Sequence, residues 1–209
     1  SIVQIHHELG KKLSKKEFDK IILNVNTQCQ YLSKTIDDFR YFFDENSINT
    51  SKFNLKETII KAIDLESDVF KNNFIEISTD LFDCEIEENQ NVFIQSLLNI
   101  FNNAKDSFVI GEIPSENRYF FIKMTKIDNE VQIKFTDSGN GIEKNIINNI
   151  FEPYFTTKHK SRGTGIGLYM THQIITRHLK GTIEVKNVGY EYKGKKLRGA
   201  EFKITLPLD

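Results

Sequence analysis

The chain has 209 residues, 39% of them hydrophobic and 27% charged, with a net charge of −1. These totals suit a soluble globular chain and exclude a general pull toward nucleic acid or an anionic membrane surface. No apolar run reaches the ~18 residues of a membrane helix. Cys29 and Cys84 stand far apart in no metal-ligand pattern, so a disulfide framework is not expected and a reducing, cytoplasmic compartment is. No signal peptide is visible. The chain opens at Ser1 without Met, as a fragment of a longer protein would.

Gly10 followed by Lys11 and Lys12 reads as a helix end, and Ser14 with Glu17 as a capping box that starts the next helix. Phe18, Ile22, Val25, Cys29, Leu32, Ile36, Phe39 and Phe43 alternate in steps of four and three, an a/d seam. About 30 residues at about 1.5 Å each span about 45 Å, too long for a short partner, so a dimeric four-helix bundle through residues 14–45 is expected. Residues 44–54 are polar, lack a helical face and read as a domain boundary. That gives two domains, 1–46 and 53–209.

In the second domain, Leu55–Asn72 has helical spacing, and Phe74–Ser78 and Phe82–Ile86 alternate as short strands. Asn91–Phe108 carries apolar residues at 93, 94, 97, 98, 101, 104 and 108, one face of a helix. Asn99, Asn103 and Asp106 make a polar stripe beside it, which is either a ligand wall or a solvated surface. Residues 118–125 and 130–136 read as strands around an Asp128-Asn129 turn, Ile146–Phe151 as a short helical patch, Thr164–Leu179 as a helix, and 181–186 and 201–206 as closing strands. The class is α+β with a mixed sheet.

Two glycine motifs stand out. Asp137-Ser-Gly-Asn-Gly141 follows a strand. It is either a plain turn or an acceptor facing a pocket with bare backbone beside it. Arg162-Gly-Thr-Gly-Ile-Gly-Leu168 runs into a helix, and backbone N–H groups uncovered by Cβ atoms suit a phosphate. It is neither the dinucleotide fingerprint nor a P-loop. Between the two, Phe151–Arg162 ends in Lys158, Lys160 and Arg162, cations suited to a mobile lid over a polyphosphate or to a solvated loop.

The order Asn-x-x-x-Asn, Asp-x-Gly-x-Gly, Phe-Glu-Pro-Tyr-Phe, Gly-x-Gly-x-Gly-Leu resembles the nucleotide-binding domain of sensor histidine kinases, in the superfamily of DNA gyrase, a heat-shock chaperone and the mismatch-repair ATPases. The resemblance covers residues 53–209, and Thr35–Phe43 resembles the second helix of the dimerisation and histidine-phosphotransfer hairpin. It implies a Bergerat-type two-layer α/β sandwich binding ATP and Mg²⁺. By the same resemblance, Asn103 would hold Mg²⁺, Asn99 would lie near the phosphates, and Asp137 would accept from the adenine amine with Gly139 and Gly141 beside the base. Gly163, Thr164, Gly165, Ile166, Gly167 and Leu168 would serve the phosphate end with Lys158 and Arg162, while Phe151 and Phe155 would anchor the lid. Hydrolytic superfamily members carry Glu where this chain has Asn99, and an amide is no general base. Transfer to a protein nucleophile is therefore expected over hydrolysis.

That nucleophile would be a histidine, with an aspartate of a response-regulator receiver domain as the next acceptor. His7-Glu8 matches the acceptor pattern, but a hairpin turn at 10–13 would leave His7 on the order of 40 Å from the nucleotide domain. An acceptor upstream of Ser1 is expected instead. His6, His159, His172 and His178 have no metal-ligand spacing. The resemblance thus implies an ATP-dependent protein-histidine kinase acting in the cytoplasm, as a soluble protein or as part of a membrane-anchored sensor. The alternative is a degenerate nucleotide-sensing or dimerisation module of the same fold.

Overall fold

The computed structural model describes residues 14–23, 25–26, 29, 50–158 and 163–208. His6, His7, His159, Lys160, Arg162 and the seam beyond Cys29 lie outside the described residues. Residues 15–23 are helical, and the expected capping box opens them. The Ser14 hydroxyl accepts from the Glu17 N–H at 3.3 Å while the Glu17 carboxylate accepts from the Ser14 N–H at 2.9 Å. Phe18, Ile22 and Val25 of the apolar seam are all exposed.

The remaining residues form a helical layer on a mixed sheet. Strand β1 (Ser51–Asn54) pairs antiparallel with β3 (Glu85–Glu88). The main sheet has the order β2-β4-β5-β7-β6, built from Glu76–Asp80, Tyr119–Ile127, Glu130–Asp137, Lys195–Pro207 and Thr182–Tyr192. β2 and β4 are parallel and the other neighbours antiparallel. Helices α1 (Leu55–Leu65), α2 (Ser67–Asn72), α3 (Gln90–Ile110) and α4 (Gly167–Gln173) complete the sandwich, with a π-helical turn at Ile174–His178.

Period-two alternation decides which strand residues meet the helices. Val131, Ile133 and Phe135 of β5 are fully buried, as are Ile204 and Leu206 of β7. Opposite them, Phe93, Leu97, Phe101 and Phe108 of α3 are buried at helical spacing. Phe101 is the hub: its ring lies 5.7 Å from Phe70, 5.6 Å from Phe120 and 6.2 Å from Phe135. Asp137 is the next inward position after Phe135. The alternation that builds the core therefore carries a carboxylate into the layer between sheet and helices.

Several elements differ from expectation. Residues 51–54 of the expected boundary form β1, because Phe53 is buried against Phe93 (ring separation 6.2 Å). The helix expected over Leu55–Asn72 breaks at Glu66, whose N–H bonds Ile63 O in a tight turn. The patch at Ile146–Phe151 is not a helix but successive tight turns, with Asn149 N–H on Ile146 O and Glu152 N–H on Asn149 O, both at 2.9 Å. Asn145, Asn148 and Asn149 are poor helix formers, and Pro153 opposes continuation. The helix expected from Thr164 begins only at Gly167, after Gly165 turns left-handed at φ 66°. It widens past Gln173, where the Thr176 hydroxyl takes the His172 carbonyl at 2.7 Å, a side-chain bond that bends helices. The closing strands run far past the expected 181–186 and 201–206, forming a long hairpin that turns at Lys193-Gly194.

Candidate functional site

A cleft of about 780 Å³ lies between α3, the end of β5, the segment 139–158 and the start of α4. Asn99, Asn103, Asp137, Gly139, Gly141, Lys158, Gly163, Thr164, Gly165, Gly167 and Leu168 all line it. Ile166 does not: it is buried in the core, and its carbonyl accepts the Met170 N–H.

At one end sits Asp137. Its Oδ1 accepts from the Gly139 N–H at 2.8 Å and the Ala200 N–H at 3.2 Å. Burial nevertheless pushes its carboxyl up to about 6, against the pull of those two N–H groups. With Oδ1 doubly engaged, Oδ2 remains for a ligand. Ser138 points the other way, accepting from the Tyr119 N–H and donating to Asn117 O. The two glycines of this motif are packed against protein. A Cβ on Gly139 would lie 2.1 Å from Ser107 Oγ, and one on Gly141, at φ 80°, 2.4 Å from Asn187 Oδ1.

At the other end is the polar stripe of α3. Asn103 Nδ2 donates to Asn99 O at 2.9 Å, which leaves its Oδ1 turned into the cleft. There it accepts from the Lys158 ammonium at 3.1 Å. The same ammonium pairs with Asp106 Oδ2 at 2.5 Å, and Lys105 holds Asp106 Oδ1 at 2.6 Å. Burial opposes ionisation of Asp106, but the two lysines outweigh it and hold its carboxyl below the usual range. Asp106 is thus a cleft residue rather than a surface one. Asn99 reaches across to α4, its Nδ2 donating to Gly167 O at 3.2 Å and Thr171 Oγ1 at 3.3 Å. A Cβ on Gly167 would come to 3.2 Å of Asn99 Oδ1, so this glycine permits the approach of the two helices.

Between the ends, Phe155 lines the cleft and Phe151 packs 5.3 Å from His172 and 6.4 Å from Phe202. The Thr164 hydroxyl accepts from the Ile166 N–H at 3.2 Å and fixes the loop that enters α4. Sequence reading missed Lys105, Ser107, Asn187, Gly199 and Ala200. Lys105 stands two positions after the Asn-x-x-x-Asn pattern and was legible in principle. Asn187, Gly199 and Ala200 act from a hairpin whose polar sequence gave no local signal.

The arrangement fits a nucleotide with its metal. The volume is that of a small-molecule pocket, and a buried acceptor at one end faces backbone and cations at the other. Asn103 Oδ1 is already bonded to a cation, which suits it to a hard metal ion. Among the described residues no cluster of three His, Cys, Asp or Glu could hold a metal unaided, so phosphate and water oxygens would complete the shell, as Mg²⁺ prefers.

The profile of the Histidine kinase-, DNA gyrase B-, and HSP90-like ATPases matches residues 88–209, more than half of the chain. The chain belongs to that family. Its relatives include the sensor histidine kinase ZraS of Escherichia coli O157:H7, 36% identical over 60% of this chain and 24% of that protein. Sporulation kinase A of Bacillus subtilis (strain 168) is 33% identical over 74% of this chain and 23% of that protein. The nucleotide-free catalytic domain of histidine kinase ThkA superposes with a TM-score of 0.61 at 26% identity, covering 77% of this chain and 96% of that one. The chain spans 12–38% of the length of the first curated relatives it matches. It is a histidine kinase-type ATPase domain with the expected Bergerat sandwich. No helix among the described residues is long and apolar enough to cross a membrane.

Proposed function

We propose that the domain binds Mg-ATP in this cleft and donates the γ-phosphoryl group to a histidine of the dimerisation hairpin, for relay to an aspartate of a response-regulator receiver domain. One observation carries the reading: a single cleft presents the buried Asp137 acceptor at one end and the cation-bonded Asn103 oxygen at the other.

Asp137 Oδ2 accepts from the adenine amine, and the glycine loop 163–167 with Lys158 faces the phosphates. Asn103 Oδ1, which now accepts from Lys158, would be the protein's ligand to Mg²⁺, and the metal would supply neutralisation of phosphate charge. Asn99 offers no basic oxygen to a water molecule, and its Nδ2 is spent on α4, which favours transfer over hydrolysis. The domain's own contribution is positioning and charge neutralisation. The exposed Phe18, Ile22 and Val25 support a partner helix and hence a dimer. A histidine kinase of the same fold, ThkA, is known in complex with response regulator TrrA, which supports that class of partner. The site of action proposed is the cytoplasm.

The test is labelled ATP with the longer protein that carries both helices of the hairpin. Acid-labile, base-stable label on a histidine is expected, lost in Asn103→Ala. Steady release of inorganic phosphate with no protein label would overturn the reading, as would stoichiometric label on His7 overturn the placement of the acceptor upstream.

A further inference from the structure

The β6–β7 hairpin is longer than the sheet requires. β5 pairs with β7 only from Thr136↔Glu201 to Glu130↔Pro207, whereas β6 and β7 continue to pair from Asn187↔Ala200 out to Tyr192↔Lys195. This outer arm is fastened at its tip, along its length and at its root. At the tip, Lys193 Nζ lies 2.8 Å from both Glu76 oxygens and Lys195 Nζ 2.7 Å from Asn117 Oδ1. Along its length, the Tyr190 and Tyr192 rings stand edge-on to Phe121 at 5.5 and 4.9 Å.

At the root the arm grips the Asp137 loop. The Tyr190 hydroxyl donates to the Asp137 main-chain carbonyl at 3.0 Å. The Ala200 N–H meets the Asp137 carboxylate, Arg198 O accepts from the Asn140 N–H at 3.0 Å, and the Asn187 amide holds both the N–H and the carbonyl of Ile142. Gly199 lies so near that a Cβ there would fall 1.6 Å from Asp137 O. Ser138 is held on the opposite side by Tyr119 and Asn117. The peptide unit from which the Asp137 side chain springs is therefore fixed on both sides.

We propose that Tyr190 is a positioning residue for purine selection: its hydroxyl locks the Asp137 main chain so that the free carboxylate oxygen meets an adenine amine and repels a guanine carbonyl. This rests on Asp137 as the adenine acceptor. A phenol is suited to the task because burial and the neighbouring carboxylate hold Tyr190 well above its ordinary value, so it stays a donor wherever the protein is folded. Without the hydroxyl the carbonyl loses its donor, and Oδ1 loses part of the geometry that engages Gly139 and Ala200. The carboxylate then turns, protonates more readily and discriminates less.

The experiment compares Mg-ATP and Mg-GTP binding to the 209-residue chain and to Tyr190→Phe, from pH 5 to 8. Loss of one such hydrogen bond predicts ATP binding weaker by roughly three- to ten-fold, GTP binding unchanged, and the pH midpoint of ATP binding moved upward. An unchanged ATP-to-GTP ratio would overturn the proposal, and so would equal weakening of both nucleotides with a lowered melting temperature. Should Tyr190→Phe fail to fold, the double variant Lys193→Ala/Lys195→Ala, which removes both lysine fastenings of the exposed tip, decides it: a reduced ratio supports the arm and an unchanged one sinks it. A wild-type preference for ATP that Asp137→Asn abolishes and Tyr190→Phe leaves intact removes Tyr190 alone. No wild-type preference removes the Asp137 reading with it.

Discussion

Replacing Asp137 by Asn should make the free protein more stable while destroying its nucleotide selectivity. The Asp137 carboxyl is buried and rises from its ordinary 3.8 to about 6. At about 1.4 kcal/mol per pKa unit, that shift of ~2 units corresponds to ~3 kcal/mol. The folded value is raised, so the folded state is favoured by proton uptake. That contribution is fully present below pH 3.8 and is lost as pH rises through about 6. At pH 8 the wild type therefore carries a desolvated charge that Asn lacks. Asn keeps an oxygen for the Gly139 and Ala200 N–H groups, so the hairpin root is undisturbed. Urea unfolding at pH 5, 6, 7 and 8 should show Asp137→Asn more stable by up to ~3 kcal/mol at the top of the range, the gap narrowing to about half by pH 5. A variant less stable than wild type at pH 8, or a gap that does not depend on pH, would refute the assignment of a desolvated, ionised carboxylate. The same titration predicts that wild-type ATP binding weakens as pH falls through about 6.

Other substitutions probe separate parts of the site. Asn103→Ala should weaken ATP binding about ten-fold or more when Mg²⁺ is present and little when it is chelated, since the lost group is a metal ligand; calorimetry with and without chelator reads the difference. Gly139→Ala drives a Cβ into Ser107 Oγ and should cost ~2 kcal/mol or more in denaturant unfolding, with Ser107→Gly recovering part of the loss. Asn187→Ala removes two hydrogen bonds to Ile142 and should cost ~1–3 kcal/mol, measurable as a lower melting temperature and faster amide exchange around Gly141. An Asn187→Ala protein of wild-type stability would show that the loop is held by other contacts.

What the sequence revealed and what it hid follow from the range of each interaction. The α3 stripe was legible because helical spacing is local: Phe93, Leu97, Phe101 and Phe108 repeat within one segment, and Asn99 and Asn103 ride beside them. Asp137 was legible as the end of an alternating strand. The patch at 146–151 misled because four apolar residues, Ile146, Ile147, Ile150 and Phe151, mimic a helical turn while the intervening asparagines and Pro153 oppose one. β1 was hidden because one buried residue, Phe53, justifies it, and its partner strand lies some thirty positions on. The hairpin arm was hidden for a similar reason. Its lysines and glycines look like a loop, and only the fold brings Tyr190, Asn187 and Gly199 to Asp137. Asp106 stayed ambiguous until its two lysine partners were visible, one of them from the far side of the cleft.

The central claim is that one cleft binds Mg-ATP with Asp137 at the base end and Asn103 at the phosphate end. Isothermal titration of the chain with Mg-ATP, beside Asp137→Asn and Asn103→Ala, tests it most directly. The account predicts one-to-one binding by the wild type, loss of ATP-over-GTP preference in Asp137→Asn and loss of the Mg²⁺-dependent part of the affinity in Asn103→Ala. Absence of wild-type binding, or binding indifferent to both substitutions, would contradict it.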